Sequence, residues 1–277
     1  MAGEDLRPSA RTSREFHDLL AGDALERGLE APEHVWVHGW LLVAGKPHDG
    51  NRGCFLDHAV VEPSAPTRRA TCARGVAFDK DTDVSWDSFV RRYNADLAND
   101  FGNLVNRTVS MVNRYLEGER PEPRRSQDAP LAATWAVTLD AFRAKLDGYL
   151  LHEALTALWD FVGASNKAVD EAQPWALAKL AKAGDADAEA KLRAVLGDLV
   201  EACRLVGLAA APFMPGMAPR ILDQLGYAYE YGADGNGGPS VLERLAWGGQ
   251  AGPGRVTSTP SPLFPRAEVE AVEEAGA

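Results

Sequence analysis

The sequence predicts a mainly α-helical protein: an antiparallel helix bundle over residues 85–277, preceded by a smaller irregular region over 1–84. Three observations carry this. From Ser85 onward apolar residues recur every three or four positions, the period of one helix face. Prolines and glycines break that pattern into runs joined by short connections, as neighbouring antiparallel helices require. In the first 84 residues only one segment has a clear apolar pattern, and it alternates.

That segment, "HVWVHGWLLV" (His34–Val43), is rich in β-branched and aromatic residues and reads as a strand or strand pair. "AGKPHDGNRG" (Ala44–Gly53) follows with turn chemistry, and "EPSAPTRRATCARG" (Glu62–Gly75) has no usable period. The first long helix starts at Ser85, a residue suited to an N-cap, with Asp87 and Ser88 in its first turn. Its apolar face is Trp86, Phe89, Val90, Tyr93, Leu97, Phe101, Leu104, Val105, Val112, Tyr115 and Leu116. Gly118 and the prolines of "GERPEPRR" stop it. Further helices are expected over Leu131–Leu146 and Leu151–Ala172, the latter with Leu151, Leu155, Leu158, Val162 and Val169 on one face. Pro174 ends or kinks that run and suits the first turn of a short helix carrying Trp175. Asp185–Met214 and Pro215–Gly226 complete the helices, after which Gly226–Ser240 and Gly248–Pro262 are Gly/Pro-rich loop. No internal repeat is evident.

With 277 residues, 45% of them hydrophobic, the chain can bury a substantial core. Its net charge of −11 gives no global attraction for nucleic acid, so such a partner needs a local cationic patch. No apolar run approaches the roughly 20 residues that span a bilayer. The start, "MAGEDLRPSARTSREF", lacks the apolar core of a secretion signal. Cys54, Cys72 and Cys203 are odd in number and far apart, and no Cys/His spacing suggests zinc. A reducing cytoplasm, with no bound metal and no membrane, is the expected setting.

Within the first long helix, "GNLVNRT" (Gly102–Thr108) places Asn103 and Arg107 one turn apart. With Arg114 they fall within about 40° of one another, beside the apolar face rather than opposite it. They can therefore meet a ligand while the apolar face is buried. Spacing alone favours a blander role, an interhelix polar contact or a solvated surface, since most polar helix residues need no ligand. Asn94, inside the apolar stripe, reads as a hydrogen-bonded structural residue. Trp175 could stack on an unpaired base, or simply cover the core at a helix start.

Several separate motifs nevertheless occur together and in order. "YNADLANDFGNLVNRTVSMVNRY" (Tyr93–Tyr115) resembles the first helix of the anticodon-binding domain of methionyl-tRNA synthetases. "VDEAQPWALAK" (Val169–Lys179) resembles that domain's second signature, and "APFMPGMAPRILDQLG" with "LFPR" (Leu263–Arg266) fits its end. Upstream, "GLEAPEHVWVHGWLLVAGK" is similar to the last part of the same family's catalytic domain. The likeness runs from about Gly28 to Arg266. It implies a bundle of the class I synthetase anticodon-binding type over 85–277, and over 1–84 a small α/β remnant of a Rossmann-type catalytic domain with its connecting segment. It further implies that Asn103, Arg107 and Trp175 contact the CAU anticodon of tRNA, which becomes the expected partner; DNA is not one.

The family attaches methionine to tRNA using ATP, through a His-x-Gly-His signature and a mobile Lys-Met-Ser-Lys-Ser loop. The 277 residues contain no His-x-Gly-His. "GKPHDGNRG" stands at the loop: Lys46 matches its first lysine and Arg52-Gly53 the residues after it, but Pro47, His48 and Asp49 replace the middle. An Asp there would repel polyphosphate, so Lys46 reads as a turn lysine and a weak remnant. No intact catalytic residue and no ATP bound by this chain are expected, and the ligase activity is expected to be lost. A half catalytic domain would expose a sheet edge and apolar surface, so association through 1–84 is expected. At Pro63–Cys72, "PSAPTRRATC" departs from the family's Phe-Gly-Ala-Asp-Ala-x-Arg-Tyr. GC-rich codons for those residues, read two bases later, spell Val-Gly-Ala-Asp-Ala-Thr-Arg-Tyr-Val. Compensating frameshifts would explain this, and the DNA of the stretch decides it. Two alternatives stay open: a fragment of an active ligase gene split by frameshift, and a non-catalytic helical relic.

Overall fold

The computed structural model describes residues 41–43, 46–47, 74–75, 82–83, 85–228, 241–250 and 252–268. The chain divides into two compact units, one of residues 1–57 with 76–85 and one of 58–75 with 86–277. In the first, β1 (Leu41–Val43) pairs antiparallel with β2 (Lys46–Pro47) and parallel with β3 (Thr82–Asp83), giving the order β2-β1-β3. Lys46 therefore lies in a short strand opposite Val43, not in a turn. Its side chain lies outside the described residues, as do His34–Trp40, Cys54, Arg52-Gly53 and Pro63–Cys72.

The second unit is mainly helical. Its described helices are α1 (Trp86–Arg92), a π-helical segment (Tyr93–Phe101), α2 (Gly102–Leu116), α3 (Pro130–Asp147), α4 (Leu151–Ala172), α5 (Pro174–Lys182), α6 (Ala186–Ala209), α7 (Ala218–Gln224) and the short α8 (Val241–Arg244). Their limits follow local chemistry. Pro130 and Pro174 each occupy a helix start, where no N–H is needed. Asp185 caps α6 by accepting from the Ala188 N–H at 3.0 Å. Glu117 and Gln173 end α2 and α4 in the left-handed conformation. α6 stops at Ala209, five residues short of the expected Met214, because the chain turns at Ala210–Phe213.

The first long helix is not α-helical throughout. Tyr93, Leu97 and Phe101 are buried and four apart. In an α-helix each such step drifts about 40° around the axis. The wider i→i+5 register cancels that drift and keeps all three on the core, which the 3.6-residue period alone could not foretell.

One contiguous core joins the helices. Leu104, Val105, Val109 and Val112 of α2, Leu155, Leu158, Phe161 and Val162 of α4, and Leu196, Val200, Leu205 and Val206 of α6 are all fully enclosed. The rings of Trp135 and Phe161 lie 5.0 Å apart, and the Trp135 indole N–H donates to the Leu245 carbonyl at 2.7 Å. Gly197 lets the Glu122–Pro123 backbone touch α6: a Cβ there would stand 2.1 Å from the Glu122 carbonyl oxygen.

Two ion pairs close the unit, one half-buried and one fully enclosed. Arg124 grips Asp198 with Nε at 2.8 Å and Nη2 at 2.5 Å from Oδ2, while its own N–H reaches Oδ1 at 2.9 Å. Arg204 and Glu201, both fully enclosed on α6, pair through two bonds of 2.7 and 2.6 Å. Arg204 also donates to the Arg244 and Ala246 carbonyls, and the Gly248 N–H donates to Glu201. Beside them the Tyr227 ring takes the Arg120 guanidinium 3.7 Å from its centre, and burial pushes the Tyr227 phenol up to about 12.

Cys203 is enclosed in the same helix, and burial raises its thiol to about 12. A neutral, enclosed thiol is a poor nucleophile. In a Cys54→Ser/Cys72→Ser background, Ellman's reagent at pH 8 is expected to leave Cys203 unmodified until denaturant unfolds the chain. Prompt labelling of the native protein would contradict this packing.

Candidate nucleic-acid interface

Burial of Leu104, Val105, Thr108, Val109 and Val112 fixes the rotation of α2 and turns Asn103, Asn106 and Ser110 outward. Arg107 stands at the boundary, its side chain about a third exposed (33%). Its Nη2 lies 3.1 Å from Asp170 Oδ1, so α2 is tied to the last turns of α4. Asp170 is itself 68% exposed, and an ion pair in that setting contributes little, about 0–1 kcal/mol. Asn103 is exposed, and among the described residues no side-chain hydrogen bond holds it. Arg114 continues the same edge, exposed, with its guanidinium 5.8 Å from the Tyr115 ring centre.

α4 and α5 meet at one residue. Gln173 (φ 44°, ψ 62°) donates its N–H to Val169 at 3.1 Å, closing α4, while its carbonyl accepts from Ala176 at 2.8 Å, opening α5. Pro174 is buried, which leaves Trp175 at the second helical position and 46% exposed. Half an indole in solvent costs free energy that a stacked partner would recover. Lys179 and Lys182 are exposed on the same helix four and seven positions on, the side-by-side spacing of helical neighbours.

Arg107 is thus held at the end of the helix that leads directly into Trp175. Asn103 lies one turn back on the same edge of α2. Asn94 is half-buried and uses both its amide atoms on Ala267, at 2.8 and 2.9 Å, a structural role. Asp170 and Gln173 escaped the sequence reading. Asp170 is one of several exposed charged residues on its helix, and neither it nor Gln173 carries a local signal. Among the described residues no group of three or more His, Cys, Asp and Glu could hold a metal, and no helix is long and apolar enough to cross a membrane.

Comparisons with known proteins give this surface its context. Residues 13–109 match the family model described as tRNA synthetases class I (M). The chain is 33% identical over 247 residues to the methionine–tRNA ligase of Lactococcus lactis, covering 88% of this chain and 35% of that protein. It is 33% identical to the ligase of Mycobacterium leprae over 91% of this chain and 45% of that one. Among solved structures, the free methionyl-tRNA synthetase of Mycobacterium tuberculosis superposes with a TM-score of 0.74 at 30% identity, over 93% of this chain and 49% of that one. The same enzyme with methionyl-adenylate gives 0.72 at 29% identity, over 96% and 53%.

Fold and sequence therefore place the chain among relatives of the class I aminoacyl-tRNA synthetases. Within that class it is related to the methionyl-tRNA synthetases and corresponds to a part of one, spanning about a third to a half of the length of the proteins it matches.

Proposed function

We propose that residues 85–277 form an anticodon-binding domain, an antiparallel helix bundle that recognises tRNA carrying CAU. The observation that supports this best is the placement of Arg107 and Trp175 at the two ends of one short path, α2 to Asp170 to the single-residue joint at Gln173. In this reading Trp175 stacks on a base, while Asn103 and Arg107 hydrogen-bond to base edges. Arg114, Lys179 and Lys182 supply the cations that an acidic chain needs locally. Residues 1–84 are the end of a Rossmann-type catalytic domain in the same reading. Without His-x-Gly-His and with Pro47, His48 and Asp49 after Lys46, these residues do not activate methionine with ATP unaided. The setting is cytoplasmic.

The test is equilibrium binding, at one stated salt concentration, to two stem-loops that differ only in the anticodon. Preference for CAU supports the reading; equal or absent binding leaves a helical scaffold. ATP–pyrophosphate exchange with methionine above background would overturn the catalytic part.

The Asp170 pairing has a separate consequence. Asp170→Ala should change stability by less than about 1 kcal/mol. Because Arg107 is then unpaired and free to reach a base edge, affinity for the CAU stem-loop should rise a few-fold more than that for the altered one. An unchanged preference would show that Asp170 does not restrain Arg107.

A further inference from the structure

The π-helical segment Tyr93–Phe101 enters from α1 and leaves into α2 without a break, Gly102 donating its N–H to Leu97 five residues back. A helix that passes from i→i+4 bonds to i→i+5 bonds and back carries one residue more than its α-helical equivalent. Such a surplus residue is free to migrate along a helix unless something fixes it.

The C-terminal segment Leu263–Ala267 is bonded to the π segment at both ends. At the start, the Tyr93 hydroxyl donates to the Pro265 carbonyl at 2.9 Å, and Asn94 takes the N–H and C=O of Ala267 at 2.9 and 2.8 Å. Toward the end, Arg266 Nη2 donates to Asn99 Oδ1 at 2.7 Å, and the Phe264 ring lies 6.2 Å from that of Phe101. Phe264 closes on Gly102 so tightly that a Cβ there would meet its ring at 2.9 Å and the Leu97 carbonyl oxygen at 2.7 Å. Asn103 is the next residue.

We propose that Leu263–Ala267 is a pin: it holds the surplus residue ahead of Gly102, so that Asn103 and Arg107 share one regular α-turn. Were the surplus to pass beyond Arg107, both side chains would turn by about one residue's rotation, 100°, relative to the core. Asn94 and Phe264 are then positioning residues for the recognition edge, which they do not themselves form. The functional half of this rests on the anticodon-binding reading; the structural half does not.

The test uses the full chain with two readouts. Asn94→Ala/Phe264→Ala should raise deuterium uptake of the Asn103–Arg107 amides at least tenfold and cut the CAU preference toward that of Asn103→Ala. Deleting Ala95 in the same background removes the surplus residue and should restore both. Uptake that stays at the wild-type level, or a folded deletion variant that restores neither readout, overturns the pin. If the double variant does not fold, the comparison is made on Asn94→Ala with and without the deletion. Restored exchange protection in a protein that never preferred CAU leaves the pin standing and removes only the functional reading.

Discussion

Glu201→Ala is expected to cost about 3–5 kcal/mol, because it strands a guanidinium in the interior. Arg204 has no exposed surface, and Glu201 supplies two of its bonds, at 2.7 and 2.6 Å. The same carboxylate accepts the Gly248 N–H at 2.6 Å, so a backbone donor loses its partner too. Chemical denaturation should show the midpoint falling with an unchanged slope, since the area exposed on unfolding is the same. Replacing both partners with apolar residues, often harmless for a simple buried pair, should not rescue this one. Arg204 also donates to the carbonyls of Arg244 and Ala246 and to the Gln250 side chain, and these bonds would be lost with it. A loss below about 1 kcal/mol for Glu201→Ala would mean that solvent reaches the pair.

The second large effect is expected at Trp175. Stacking of a base on an aromatic side chain contributes about 1–3 kcal/mol, so Trp175→Ala should weaken CAU stem-loop binding by about tenfold or more. Leu180 provides the control, being on the same helix and similarly exposed at 50%. Leu180→Ala should leave affinity within about twofold, as expected for an exposed position outside the contact. Equal losses for the two variants would point to general apolar adhesion rather than stacking, and no loss at Trp175 would remove it from the interface.

Much of the helical half was legible because its signals are local. Pro174 marks a helix start, and the Leu151–Ala172 helix has the limits that its apolar face and Pro174 predict. The same logic put Trp175 at a helix start and Asn103 and Arg107 beside the apolar face of α2, while leaving the exposure of Trp175 open. What stayed hidden depends on partners far along the chain. Glu201 and Arg204 look like the solvent face of an amphipathic helix until residues 244–250, from Arg204 between 40 and 46 positions away, fold over them. Gly102 looks like a mild helix breaker until Phe264 arrives. Asp170 pairs with Arg107 across 63 residues, a separation at which no spacing rule operates. The π register was missed for a different reason: a strict four-residue repeat over three positions is too short to separate from the 3.6-residue period.

The joint at Gln173 has a thermodynamic side. A recognition tryptophan on a long loop would be ordered only when its partner arrived, at a cost in entropy charged against binding. Here one residue in the left-handed conformation, bonded to both neighbouring helices, settles that loss while the chain folds. On the proposed reading the indole is thereby aimed before tRNA reaches it, and the strain of a non-glycine residue at positive φ is the standing cost of that readiness.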